Sequence, residues 1–324
     1  GANGLYVPRT GKPCYVGNTI EWPRQRDEEL TGLDIDALTF DWFERTPAAA
    51  VRARFNGHLV SDDGSLGANV HGALAGLRAA LTPVECARYR TLGALAAECM
   101  EQTLRTIWAG DTEAGIAARL KAAGAARGCE VPVALVAADE RIARYRHPLP
   151  TRAPLDAPGQ GERTVQRYVM VVGCFLREGL VVSLTRFAQT GDLPDGIEDA
   201  MQRIAAVDAT FQAATQPGHT LGEVFARGQQ AYVENGFDPD EWRNHHQGGA
   251  TGYAGRTCKG APGEAFPVLD GVRAERLAQR LGRGIPLSAA FAWNPSAPGV
   301  KSEDTFLLHA DGRQEIVTRT PALP

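Results

Sequence analysis

The sequence predicts an α+β fold: a curved antiparallel sheet covered by helices, with a pseudo-twofold repeat, preceded by a small N-terminal α/β domain. Three observations predict it. First, "GDTEAGIAARLKAAG" (110–124) and "GHTLGEVFARGQQAY" (218–232) share a Gly, a Thr two residues later and an aliphatic residue four beyond that. Each follows an Ala-rich helical stretch (82–107 and 195–214) and precedes a return to strand character, so one helix–loop–helix–strand unit occurs twice. Second, "RYVMVVGCF" (167–175) and "LVVSLTRF" (180–187) are β-branched runs separated by "LREG", the pattern of a hairpin. Third, "SAAFAWNP" (288–295) and "EDTFLLHADG" (303–312) read as a second antiparallel pair, with "RQEIVTRT" as a further strand.

From the start of the chain, "KPCYVGN" reads as a strand, "PRQRDEELTG" as a charged helix or loop, and "ALTFDWFE" as a second strand, broken at "SDDGSLG". At "LTPVE" the character changes. Thr82 is placed as N-cap, Pro83 as first helical residue and Glu85 as reciprocal partner, a capping box that opens a long helix. Thr112 and Thr220 are likewise N-caps. The domain boundary falls near 76–81, giving residues 1–78 and 79–324 as the two domains.

With 324 residues, 44% of them hydrophobic and 22% charged, the chain is long enough to bury a large core. A net charge of −4 gives no electrostatic ground for a nucleic-acid or anionic-membrane partner. No apolar run reaches the ~20 residues that span a bilayer. The six cysteines (14, 86, 99, 129, 174, 258) form no CxxC pair or zinc-finger spacing. A reducing, cytoplasmic location is expected from them. The opening residues also read as a trimmed or tagged start, which leaves open whether residues precede Gly1.

The stretch "NHHQGGATGYAGRTCKG" (244–260) combines two histidines, five glycines, an Arg and a Cys. It is no phosphate cradle, since it lacks the Lys-Ser/Thr ending and opens no helix. The glycines let backbone approach closely. The adjacent His245 and His246 are expected to point to opposite faces of an extended strand, one toward the cavity.

The hairpin, the His/Gly stretch and the two C-terminal strands follow the order found in the pita-bread family of methionine and Xaa-Pro aminopeptidases, prolidase and creatinase. The resemblance covers nearly all of the chain. Residues 1–78 resemble the small creatinase/prolidase-type domain, and the rest resembles the catalytic domain. Family members that use two metals hold them with Asp, Asp, His, Glu and Glu, a set that generates hydroxide near neutral pH. Carried over, the first Asp falls on Val172, the second on Ser183, the His on Gly249 and the first Glu on Asn294. Only Glu303 in "KSED" is kept. Val and Gly carry no donor, and Ser and Asn are poor ligands for a divalent metal, so no metal and no cofactor are expected.

Creatinase, in the same family, works without metal through a histidine, and that position corresponds to His147 in "RYRHPLPT". The resemblance therefore implies proton transfer by His147 and by His245 or His246, with Glu303 beside them. Ser183, Arg186, Gly249, Arg256 and Asn294 are the candidate substrate-binding positions. For Arg186 a purely structural ion pair is the competing reading, and for Glu303 an ordinary strand ion pair with Lys301.

Three functions stay open. One is a metal-independent enzyme acting on an amide, amidine or peptide-like C–N bond of a small amino-acid-derived substrate, in peptide turnover or specialised metabolism. The others are a non-catalytic protein that binds a ligand or partner, and an Xaa-Pro aminopeptidase-like metallopeptidase. The resemblance also implies a homodimer, with Trp22 and Trp42 as contact candidates.

Overall fold

The computed structural model describes residues 3–253, 255–269 and 287–321. Its contacts divide the chain into two compact units, one up to Leu74 and one from Ala75 onward.

In the first unit, β1 (Gly4–Tyr6) pairs antiparallel with β2 (Cys14–Asn18), and β2 pairs parallel with β3 (Asp36–Phe40). Between β2 and β3 lie the short helix α1 (Trp22–Arg24) and a wide helical turn over Gln25–Glu29. Helix α2 (Pro47–Arg54) starts at an N-capping Thr46 and lays Ala50 and Val51 against Val16 and Phe40, a small core of its own. A two-residue parallel pair, β4 (Val60–Ser61) with β5 (Ala68–Asn69), flanks the "SDDGSLG" break. Helix α3 (His71–Ala79) carries the chain into the second unit.

There the element order repeats. Helix α4 (Pro83–Leu104) opens with the full reciprocal capping box of Thr82 and Glu85. Helix α5 (Glu113–Ala126) is capped by Thr112. Strand β6 (Glu130–Ala138) and the short helix α6 (Glu140–Arg144) follow, then the hairpin of β7 (Tyr168–Arg177) and β8 (Leu180–Gln189). The hairpin loop is Glu178–Gly179 alone, with φ of 49° and 80°. Two successive left-handed residues match the right-handed twist of the strands, which fixes the register. In the second half, α7 (Ile197–Ala214) is followed by α8 (Leu221–Glu234), whose Thr220–Glu223 pair forms another capping box. Next come β9 (Gly248–Gly252), β10 (Gly255–Lys259), β11 (Ser288–Trp293), the small pair β12 (Ser296–Ala297) and β13 (Val300–Lys301), β14 (Asp304–His309) and β15 (Gln314–Ile316).

The curved sheet consists of two ladders, β6-β7-β8 and β10-β9-β11-β14-β15, antiparallel throughout. They meet where Thr185 N donates to the Glu303 carbonyl (3.1 Å) and Ser183 N donates to Thr305 Oγ1 (2.8 Å). Each ladder buries one face under its own helix pair. Val136, Val171, Phe175 and Val182 pack with α4 and α5, and Phe291, Trp293 and Phe306 pack with α7 and α8. Alternation along the strands then turns Val172, Cys174, Ser183 and Thr185 to the opposite, inner face. Among the described residues, no helix is long and apolar enough to cross a membrane. The six cysteines are free.

Candidate functional site

On the inner face the pairing register sets Val172 opposite Thr185 and Cys174 opposite Ser183. Val172 is buried among Leu135, Ala137, Tyr168 and Met170. Ser183 donates its hydroxyl to Cys174 Sγ (3.3 Å). Thr185 Oγ1 donates to Glu303 Oε2 at 2.7 Å, and Asn294 Nδ2 donates to Glu303 Oε1 at 3.3 Å. Asn294 Oδ1 is buried and accepts no hydrogen bond from the described residues. Lys301 Nζ lies 3.8 Å from Glu303 Oε2, and both side chains are only 3% exposed. The pair is therefore not the exposed strand contact that the sequence alone allows, because β13 turns inward at this point. Two opposite charges here share a dry environment, where either one alone would be costly.

The second group of residues comes from two loops. His147 follows α6 at an exposed turn, and His245 ends a single helical turn (Glu241–Asn244) in extended conformation, φ −154° and ψ 147°. Arg146 pairs with Glu241, which ties the two loops together next to their histidines. His147 Nε2 and His245 Nε2 are 2.8 Å apart, a hydrogen bond in which one ring donates and the other accepts. His246 joins them, its ring centroid 4.4 Å from that of His245 and 5.1 Å from that of His147. The expectation that His245 and His246 face opposite ways fails here. Alternation applies inside a strand, β9 begins only at Gly248, and the two rings stack at 26°.

Burial pushes His245 well below the ordinary histidine range, with the charge of Lys301 adding to it. His147 is also lowered, by desolvation and then by Lys301, while Glu303 opposes the shift. Both imidazoles are accordingly neutral near pH 7. His245 Nδ1 is buried without a hydrogen-bond partner among the described residues. A cavity of about 380 Å³ opens beside His147, lined by Ala143–Arg146 and Asn244.

The other candidate positions divide clearly. All of Arg186's described contacts are structural: Thr320 Oγ1, the Thr185, Glu303 and Thr318 carbonyls, and Asp304. That is the structural pair the sequence left open. Gly249 has φ 139°, and a Cβ there would lie 2.4 Å from the Cys258 carbonyl oxygen. The close approach is to neighbouring strands, and no larger side chain fits. Arg256 lies on β10, but its side chain falls outside the described residues. The Cys258 thiol is pushed up to about 11 by burial, which suits a packed thiol better than a nucleophile.

Sequence reasoning missed Gln247. Fully buried, it donates Nε2 to the carbonyls of His245 (2.6 Å) and Trp242 (2.9 Å) and accepts from Tyr232 (2.8 Å). It clamps the backbone that presents His245. A glutamine between a histidine and a glycine carries no motif, so only its burial marks it out.

The donor set also bears on paired metals. Val172, Ser183, Gly249, Asn294 and Glu303 supply one carboxylate between them, and that carboxylate is engaged by Thr185, Asn294 and Lys301. These residues do not fit a carboxylate-bridged pair of divalent ions. Separately, His147, His245 and His246 bring ring nitrogens within 4.8 Å of one another.

No family model matches the sequence, and no curated protein does. Solved structures do match in shape. A dipeptidase from Mycobacterium ulcerans is 19% identical with a TM-score of 0.69, over 98% of this chain and 85% of that one. The prolidase from Pyrococcus horikoshii OT3 is 14% identical with a TM-score of 0.73, over 96% and 86%. An Xaa-Pro dipeptidase from Bacillus anthracis is 16% identical with a TM-score of 0.69, over 99% and 88%. The chain has the α+β pita-bread fold of the creatinase/prolidase type.

Proposed function

We propose that the chain is a hydrolase-like enzyme acting on a C–N bond of a small amino-acid-derived or peptide-like substrate, by histidine-mediated proton transfer and without paired metal ions. The observation that carries this reading is the 2.8 Å contact between His147 Nε2 and His245 Nε2 at the edge of a cavity. Hydrolysis of an amide-type bond needs a proton taken from water and a proton delivered to the leaving nitrogen. His147, exposed on the cavity side, takes the first. His147 then hands that proton to the leaving nitrogen, a relay in which His245, dry and held neutral, orients the His147 ring through their hydrogen bond and Gln247 holds His245 in place. Lys301 and Glu303 bring fixed opposite charges to the same site, where low dielectric strengthens their effect on developing charge. The dipeptidase and the prolidase among the structural matches support the choice of bond class.

A screen of dipeptides, amides and amidines, with and without chelator, tests the proposal. Turnover that survives chelation is the expected result; turnover abolished by chelation selects the metallopeptidase reading. One observation favours a binding role without catalysis: Val172 seals the inner face with a hydrocarbon contact. Absence of turnover across the screen would select that role.

We also infer a homodimer. Trp42 and Phe43, 64% and 67% exposed, form an edge-on aromatic pair on the first unit. Sedimentation at micromolar concentration showing only monomer overturns this.

A further inference from the structure

We infer that His147, His245 and His246 form a site for one divalent cation of the zinc class, and that its occupation shuts off proton transfer through the same rings. The second half rests on the function proposed above; the first half does not. This site shares no residue with the carboxylate positions that the fold family uses for metal.

The donors are of the right kind, since imidazole nitrogen is a preferred ligand of zinc and cobalt(II), and three imidazoles with one open position are a known zinc arrangement. Their placement also suits a metal. With Zn–N bonds of ~2.0–2.1 Å, tetrahedral ligand nitrogens stand roughly 3.3 Å apart. Here one pair is at 2.8 Å and all three rings offer nitrogens within 4.8 Å, so ring rotations of about 1 Å bring them onto one ion. The His147–His245 hydrogen bond would give way to such an ion as the two nitrogens move apart.

The loops are held without it. Arg146–Glu241 and the Gln247 clamp fix both segments, so the three rings are gathered before any metal arrives. The positive field of Lys301 that lowers the two imidazoles opposes a cation as well, and Glu303 offsets part of it; Arg146 is paired with Glu241, and Lys259 is exposed and screened. The cavity beside His147 leaves a coordination position open to water or an anion. Coordination uses the nitrogen lone pairs that accept protons, so a bound ion and a working relay exclude each other.

The test is titration of the metal-stripped, untagged full chain with cobalt(II), followed by zinc displacement. The expected result is one cobalt per chain with the intense visible absorption of a four- or five-coordinate site, displaced by zinc. His147→Gln, at an exposed turn that tolerates substitution, and His245→Gln should each weaken binding by at least ~10²-fold, more than loss of an outer partner costs. No saturable binding in the wild type overturns the site, as does unchanged binding in both variants. Zinc should inhibit turnover and chelator should restore it. If zinc binds and turnover is unaffected, the regulatory half falls while the site stands. If no substrate turns over at all, the proposed function fails and the cobalt titration alone judges the site.

Discussion

The strand side and the loop side of the site have solved opposite problems. On the strand side, Val172, Ser183, Thr185, Asn294, Lys301 and Glu303 are packed, and their charges are paired one to one. On the loop side, three imidazoles crowd together, His147 open to a cavity and His245 Nδ1 without a hydrogen-bond partner among the described residues. A strand can hold a charge only with a partner, because its side chains are locked by register and dry. A loop edge can keep titratable groups together because water reaches one of them. The comparison teaches that the chemistry of this site has to be sought at its loop side.

The largest effect expected concerns the strand side. Lys301→Met or Glu303→Gln alone leaves the surviving charge buried without its ionic partner, costing about 3–5 kcal/mol of stability, whereas the double change recovers most of it. Denaturant unfolding of the three variants measures this. Additive losses would show that the pair is not coupled, and the contrast between the two sides would weaken.

On the loop side, His147→Ala should lower turnover at least ~10²-fold with little change in melting temperature. His245→Ala should lower both, since the ring is buried. A His147→Ala enzyme with full activity would remove the relay; one that fails to fold would move His147 into the structural group with Arg186.

Backbone conformation supplies a third test. Gly249→Ala places a Cβ against the Cys258 carbonyl at positive φ, so roughly 1–3 kcal/mol of destabilisation is expected from thermal or chemical unfolding. An unperturbed variant would mean β9 can move aside, and a larger side chain could then be accommodated at this position.

A pH-dependent effect lies behind the strand side, at Asp208. Fully buried and accepting from Ser302 Oγ at 2.6 Å, its carboxyl is pushed up to about 7 by desolvation. Its folded-state value exceeds its unfolded value of about 3.9. The folded state therefore holds a proton that the unfolded state has released between those limits. The stabilisation is complete at low pH and fades as pH rises toward 7, with a slope of at most ~1.4 kcal/mol per pH unit from this group. Asp208→Asn should flatten the stability profile between pH 5 and 8; an unchanged profile would show that Asp208 is ionised in the folded protein.

Local signals carried much of the fold on their own. Thr82-Pro83-x-Glu85 specifies a helix start wherever it occurs, since the bonds that satisfy it span four residues. Glu178-Gly179 between β-branched runs specifies a hairpin, and the hairpin register places Val172 and Ser183 on one face. Residue type then argues against a carboxylate metal pair at the positions the resemblance assigns, because valine and glycine lack donors in any fold. What tertiary structure alone decided were the contacts that join distant loops. His147 and His245 lie 98 residues apart, and their 2.8 Å contact depends on the Arg146–Glu241 pair and on where α6 and the helical turn at Glu241–Asn244 end. That the His245 and His246 rings stack on the same side depends on β9 starting at Gly248, two residues beyond His246. The burial of Lys301 with Glu303 follows from the path of a two-residue strand. Each of these is a long-range arrangement of short, non-periodic segments. Periodicity and capping act within one element, so neither can register which loops come to rest against each other.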